Sequence, residues 1–143
     1  YGPGRNALLN LRAGTARRIV KPGQVFNRIH VDDIATSIAA ALTHPTTGIW
    51  NVCDDGPAPP QDVIACDASL MGIAPPPEQA FADAQMRPMA RSFYATSNRV
   101  ANIALKREFG VQLAFPTYRE GLTALWQAGE ARERNGGPRP PVS

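Results

Sequence analysis

Cysteine, aromatic residues and concentrated charge are all scarce in this 143-residue chain, and each scarcity excludes something. Two cysteines, Cys53 and Cys66, build neither a disulfide framework nor a zinc cluster, so they read as free thiols of a reducing, cytoplasmic environment. Aromatics make up 7% of the residues, and the net charge of +3 comes from scattered bases whose only tight pair is Arg17-Arg18. Nucleic-acid binding wants a concentrated basic stripe with interleaved aromatics, and none is present. No apolar run approaches the roughly 20 residues that span a bilayer. The two histidines, His30 and His44, stand too far apart to suggest a metal site.

Signature motifs are missing as well. The sequence contains no Gly-x-x-x-x-Gly-Lys-Ser/Thr, no His-Glu-x-x-His and no Gly-x-Ser-x-Gly. Tyr1-Gly2-Pro3-Gly4-Arg5 does not satisfy the dinucleotide fingerprint, because Pro3 stiffens the loop and no strand leads into it. No complete catalytic constellation is present, and no catalytic residue is assigned. The chain opens without Met on a turn sequence, and turns redirect elements that came before them. Further residues ahead of Tyr1 are therefore expected.

What is there is 43% hydrophobic and heavily punctuated, with 14 prolines and 12 glycines. A chain of this length can bury about two-thirds of its surface and build one modest domain. The pattern predicts a helix over residues 7–12, capped by Asn6 and stopped by Gly14. It predicts strands over 18–20, 25–31 and 49–53. A helix begins at Asp32 or Asp33, carries Ile34, Ala35, Ile38, Ala39 and Leu42 as its i, i+4 apolar stripe, and stops at His44-Pro45. Helices are predicted over 61–71, over 97–109 with Val100, Ile103, Ala104 and Leu105 inward, and over 117–131 behind a Thr117/Glu120 capping box. Residues 92–95 suggest a short strand, 81–90 stay ambiguous, and 132–143, rich in Gly, Pro and Arg, read as a flexible tail. The fold class is α/β with few strands, too few for a self-sufficient sheet.

Four stretches in order carry a family resemblance: Tyr1-Gly2-Pro3-Gly4-Arg5; Phe26-Asn27-Arg28-Ile29-His30-Val31-Asp32-Asp33 opening a helix; Ile49-Trp50-Asn51-Val52; and the 97–110 helix followed by Phe115-Pro116-Thr117-Tyr118-Arg119-Glu120-Gly121-Leu122. The chain resembles the extended short-chain dehydrogenase/reductase superfamily, the NAD-dependent epimerase/dehydratase-like proteins, over residues 1–126. The resemblance implies the C-terminal, substrate-binding part of an extended Rossmann-type fold, with residues 1–131 as that portion and the nucleotide-binding sheet absent. In that family the Gly-rich loop and the catalytic Tyr-x-x-x-Lys lie upstream of the Tyr-Gly-Pro-Gly turn. Tyr1 is followed at position 5 by Arg5, so Tyr1 is not that tyrosine.

The resemblance further implies NAD or NADP in the intact fold, with none held tightly by this chain alone, and a hydride exchanged with a carbonyl or alcohol substrate. Tyr1, Gly2 and Pro3 would border the nicotinamide end, and Arg5, Asn6, Arg28, His30 and Arg87 would face substrate. Sugar-nucleotide epimerases of the superfamily carry Arg-Asp-Tyr-Ile-His-Val. Here Phe26 takes the arginine's place and the arginine moves to Arg28, which argues for an atypical branch. Blander readings stand beside these: Asn6 as a helix cap, His30 as a structural hydrogen-bonding residue, Asp32 and Asp33 as helix-start charges, and Cys53 as core packing. The expected partners are a small-molecule substrate, the missing N-terminal half and a homo-oligomeric copy. The alternative is a non-catalytic, stand-alone ligand-binding or assembly module derived from the same fold.

Overall fold

Local chemistry starts and stops most of the helices in the computed structural model, which describes residues 1–132. The Asn6 side chain accepts the Leu9 N–H at 3.1 Å and opens α1, Ala7–Arg12. Pro60 supplies the fixed φ of a first helical turn to α3, Pro60–Met71, which ends on a left-handed Gly72. The predicted capping box is formed: Thr117 accepts from Arg119 N–H, Glu120 accepts from Thr117 N–H at 2.9 Å, and α6 runs Tyr118–Gln127. Between these lie β1 (Arg18–Val20), α2 (Val31–Leu42), β2 (Glu78–Ala80), α4 (Pro88–Ser92) and α5 (Ile103–Phe109).

Among the described residues the sheet is two strands, β1 and β2, parallel with Ile19 opposite Gln79. The architecture is thus mixed α/β. The largest core cluster is Leu8, Ala58, Val63, Tyr118, Leu122, Leu125 and Ala131, where α1, α3 and α6 meet. Smaller clusters gather around Ile19, Ala84 and Tyr94, and around Leu105, Phe109 and Val111. No described helix is long and apolar enough to cross a membrane.

Several sequence expectations are corrected. Residues 25–31 and 49–53 form no strands; Phe26 makes an isolated antiparallel bridge to Ala58, and Val31 already begins α2. A strand needs a continuous ladder, and these segments make only isolated pairings among the described residues. Residues 92–95 form no strand either: α4 takes Ser92, and Phe93 caps it. The 97–109 helix starts only at Ile103, because Ser97 accepts from Val25 N–H (3.1 Å) and donates to the Gly23 carbonyl (2.8 Å), tying the segment to the 23–25 turn. Strand β2 follows the stiff Pro75-Pro76-Pro77 and lacks any β-rich pattern, so it went unpredicted. The tail beyond Arg132 lies outside the described residues.

The burial of α2 is the reverse of its sequence pattern. Its buried residues are polar, Asp33 and Ser37, while Ile38 is 56% exposed and Leu42 83%. Ala35 and Ala39 are exposed with them. Ile49 (97%) and Val52 (40%) add to this open apolar surface. On α5, Ile103 is also exposed, and Leu105 and Phe109 take the core positions instead.

One core position is a carboxylic acid. Asp67 of α3 is fully buried, and neither carboxylate oxygen has a hydrogen-bond partner. Burial raises its pKa from 3.8 to about 7. In the unfolded chain it ionises near pH 4, but in the fold only near 7, so stability falls as pH rises between those values and stays low above them. Asp67→Asn should therefore raise stability above pH 7 by about 2–4 kcal/mol and leave it little changed below pH 4. Urea unfolding midpoints of both proteins across pH 4–8 check this.

Candidate functional site

The site is organised around the N-terminal turn. The main-chain nitrogen of Tyr1 donates to the Ile29 carbonyl (2.9 Å), and Val31 N–H donates to the Tyr1 carbonyl (2.9 Å). This is the hydrogen-bond pattern of two parallel strands. The Tyr1 ring then passes into a slot on α6, where a Cβ added to Gly121 would stand 2.1 Å from the phenol oxygen. Glycine at 121 is what lets the ring in. The hydroxyl faces the Thr117 carbonyl at 3.5 Å. Burial first, then the nearby Asp54 and Asp33 charges, raise its pKa above the ordinary tyrosine value.

His30 lies behind Tyr1. It is buried, with its ring edge-on to Tyr1 (centroids 5.2 Å apart) and tilted against Phe115 (4.2 Å). Its Nδ1 accepts the Asp32 N–H at 3.2 Å and caps α2, a role the sequence had suggested for Asp32 or Asp33. That bond leaves the proton on Nε2, which has no acceptor. Asp33 instead reaches across the fold and accepts Ala114 N–H (2.7 Å) and Phe115 N–H (3.1 Å).

Arg28 is the functional candidate with unspent donors. Its Nη1 donates to the Phe26 carbonyl (2.9 Å) and the Ala58 carbonyl (3.0 Å), and the remaining guanidinium donors make no hydrogen bond among the described residues. It lines a concavity of about 380 Å³ with Tyr1, Asn27, Ile29, Ile34, Val52 and Cys53. Burial lowers its pKa, while Asp54 and the neighbouring tyrosines oppose that shift. Asp54, which the sequence reading passed over, is 2% exposed; one oxygen accepts Gly56 N–H (3.1 Å) and the other has no partner. Burial raises its pKa, and the Gly56 bond and Arg28 pull it back. Its only sequence signal was its place in the loop after residues 49–53.

The other predicted residues divide. Gly2 is buried with no room for a Cβ, since Val31 Cγ1 would stand 2.6 Å away. Pro3 and Arg5 are exposed, and Arg5 lines a second concavity of about 450 Å³ with Tyr1, Gly4, Asn6, Leu9 and Asn10. Asn6 touches that concavity, yet its oxygen caps α1 and its nitrogen donates to the Gly2 carbonyl at 2.9 Å. Arg87 stands exposed at the start of α4 and lines neither concavity. A third, apolar concavity of about 370 Å³ lies beside Trp50, Leu105 and Phe109 and shares Ile29, Ile34 and Val52 with the one holding Arg28.

No group of three His, Cys, Asp or Glu residues that could hold a metal occurs among the described residues. Burial raises the pKa of both thiols, Cys53 and Cys66, so neither is a poised nucleophile. The sequence has no Gly-rich phosphate loop and no Tyr-x-x-x-Lys, and the buried Tyr1 phenol replaces neither. The residues present do not hold a pyrophosphate, so no hydride step is assigned to them.

The chain has the fold of the C-terminal part of an extended short-chain dehydrogenase/reductase protein. Among solved structures, a functionally unknown conserved protein from Silicibacter pomeroyi superposes with a TM-score of 0.84 at 53% identity, over 91% of this chain and 46% of its own. The human epimerase family protein SDR39U1, solved with NADPH, superposes at 0.72 and 21% identity, over 89% and 45%. RMD from Pseudomonas aeruginosa, also with NADPH, gives 0.62 and 17%, over 92% and 46%. By sequence, the 3-diazoavenalumate denitrifying reductase of a Streptomyces species is 29% identical over 135 residues, 85% of this chain and 43% of that one. No protein-family model matches. The chain spans less than half the length of these relatives.

The Arg28–Asp54 pair yields a prediction. Arg28→Met removes the cation that holds down the raised Asp54 pKa, together with the guanidinium's bonds to the Phe26 and Ala58 carbonyls, which keep their reciprocal main-chain bonds. The loss of stability should be about 1–3 kcal/mol near pH 7.5. It should shrink at low pH, where the Asp54 carboxyl is protonated in both states. Paired urea melts of the variant and the native chain at about pH 3 and pH 7.5 measure the difference.

Proposed function

We propose that this chain is the substrate-binding portion of an NAD(P)-dependent reductase or epimerase-type protein acting on a carbonyl or alcohol group. It works against a nucleotide-binding half that carries the Gly-rich loop and the Tyr-x-x-x-Lys pair. In this reading the Tyr1–Pro3 turn borders the nicotinamide end, and Arg28 offers its free guanidinium donors to the substrate. Arg5 is the second exposed cation beside that turn. Asn6 and His30 hold the wall in place.

The observation that carries the reading is the outward apolar stripe of α2. A helix of a lone domain turns its apolar side to its own core. Here Ile38 and Leu42 face outward with Ile49 and Val52, which is the pattern of a helix and an edge segment shaped to be covered by more protein. The parallel pairing of Tyr1 with Ile29 and Val31 supports a sheet continuing in that direction. The NADPH-bound structures of like fold support the cofactor class.

Trp50 lines the apolar concavity and reports its covering. The chain should be mixed with the separately expressed part of the Silicibacter pomeroyi protein that it does not cover, and NADPH titrated while Trp50 emission is followed against a Trp126→Phe background. The mixture should give a blue shift and a saturable response at roughly micromolar NADPH, and the chain alone no response. Saturable NADPH binding by the chain alone overturns the reading. So does an unchanged Trp50 in the mixture, which leaves the stand-alone module as the better account.

A further inference from the structure

The short segment after α6 holds a residue whose contacts all converge on the N-terminal turn. Glu130 Oε1 accepts Gly4 N–H at 2.8 Å and the Asn6 Nδ2 amide at 3.1 Å. That same amide nitrogen also donates to the Gly2 carbonyl, so one carboxylate oxygen gathers Gly2, Gly4 and Asn6 into a single network spanning more than 120 residues of sequence. Reciprocal Gly2–Arg5 main-chain bonds (3.1 and 3.2 Å) and the Asn6–Gly2 bond close the turn locally.

The backbone that delivers Glu130 is itself specialised. Gly129 has φ of 92° and Ala131 φ of 58°, the one described non-glycine residue in the left-handed region. A left-handed alanine is strained and persists only where its surroundings hold it. Here they do: Ala131 is buried in the main core cluster, Glu130 N–H donates to the Leu125 carbonyl, and Arg12 holds the Arg132 carbonyl at 3.0 Å. Charge-assisted acceptance by a carboxylate is stronger than neutral pairing, which suits a group that must fix a glycine-rich turn.

We propose that Glu130 is a positioning residue that latches the Gly2–Asn6 turn in the conformation it presents to the cofactor's nicotinamide end; the latch stands on the contacts above, and its link to the cofactor rests on the function proposed here. Glu130 touches no reacting group. It acts through Gly4 and Asn6, and it sets the shape of the concavity shared by Tyr1, Gly4, Arg5 and Asn10.

Amide hydrogen exchange on the 143-residue chain tests the latch directly. In Glu130→Ala, exchange at Gly4 should rise at least about tenfold, while the α1 and α6 core amides of Leu11 and Leu125 stay unchanged. Glu130→Gln keeps the acceptor oxygen and should stay within about twofold of the native chain. Unchanged Gly4 exchange in Glu130→Ala overturns the proposal. It fails too if Leu11 and Leu125 loosen equally, which marks a general fold contact, or if Gln fails to rescue. In the mixture with the nucleotide-binding half, Glu130→Ala should weaken NADPH binding about tenfold at an unchanged melting temperature, and Glu130→Gln should not; equal binding by all three overturns the link to the cofactor. If the native mixture binds no NADPH, the proposed function falls, and the latch is decided by the exchange data alone.

Discussion

The seating of Tyr1 is the constraint on which the rest of the structure leans. Its main chain is bonded to Ile29 and Val31, and its ring fills the notch that Gly121 leaves in α6. One residue therefore fixes the start of α2, the start of α6 and the turn that follows it. His30 stands edge-on to that ring and Phe115 packs on His30, and Asp33 holds the 114–115 amides against the foot of α2. Glycine at 2 and 121 is demanded by close approach: a methyl group at either position would meet a neighbour within 2.6 Å. This is a main-chain and shape constraint, so it locates Arg28 and Arg5 without either arginine having to contribute to it.

Buried carboxylates distinguish what is structural from what is exposed to use. Asp33 is saturated by main-chain amides and behaves as a strut. Asp54 is half satisfied and faces Arg28, so cation and anion each moderate the other's desolvation without forming a close ion pair. Asp67 has neither a partner nor a compensating charge, and it weakens the cluster that joins α1, α3 and α6. An unpaired buried polar group costs more than a made hydrogen bond gains, and the Arg28–Asp54 neighbourhood keeps unspent polar capacity beside an open concavity.

Local signals were legible in the sequence where their cause is local. Asn6, Pro60 and the Thr117/Glu120 box opened helices as their chemistry dictates, and the ordered Tyr-Gly-Pro-Gly, His-Val-Asp-Asp and Phe-Pro-Thr-Tyr stretches identified the fold. Strands were misjudged because a strand depends on a partner that is distant in sequence. Residues 25–31 and 49–53 have strand-like composition and no ladder among the described residues, while Glu78–Ala80 has no such composition and finds β1. The periodicity of α2 was real, but periodicity says which face is apolar, not what covers it. Of the site, Arg28 was legible through its unusual register beside His30. Asp54 and Glu130 were not, since a loop aspartate and a post-helix glutamate acquire meaning only from residues far away in sequence.

Coupling between covering and recognition follows from shared walls. Ile29, Ile34 and Val52 line both the apolar concavity beside Trp50 and the one that holds Arg28. Whatever packs on the first must border the second, and in excluding water there it strengthens every electrostatic interaction of the guanidinium. An arginine in an open concavity is screened by solvent and discriminates poorly among anions and carbonyl oxygens. The same arginine under a cover has its geometry fixed by the Phe26 and Ala58 carbonyls and its remaining donors aimed at a confined volume. Covering the apolar side of α2 is therefore coupled, through these shared walls, to the electrostatics of the concavity that holds Arg28.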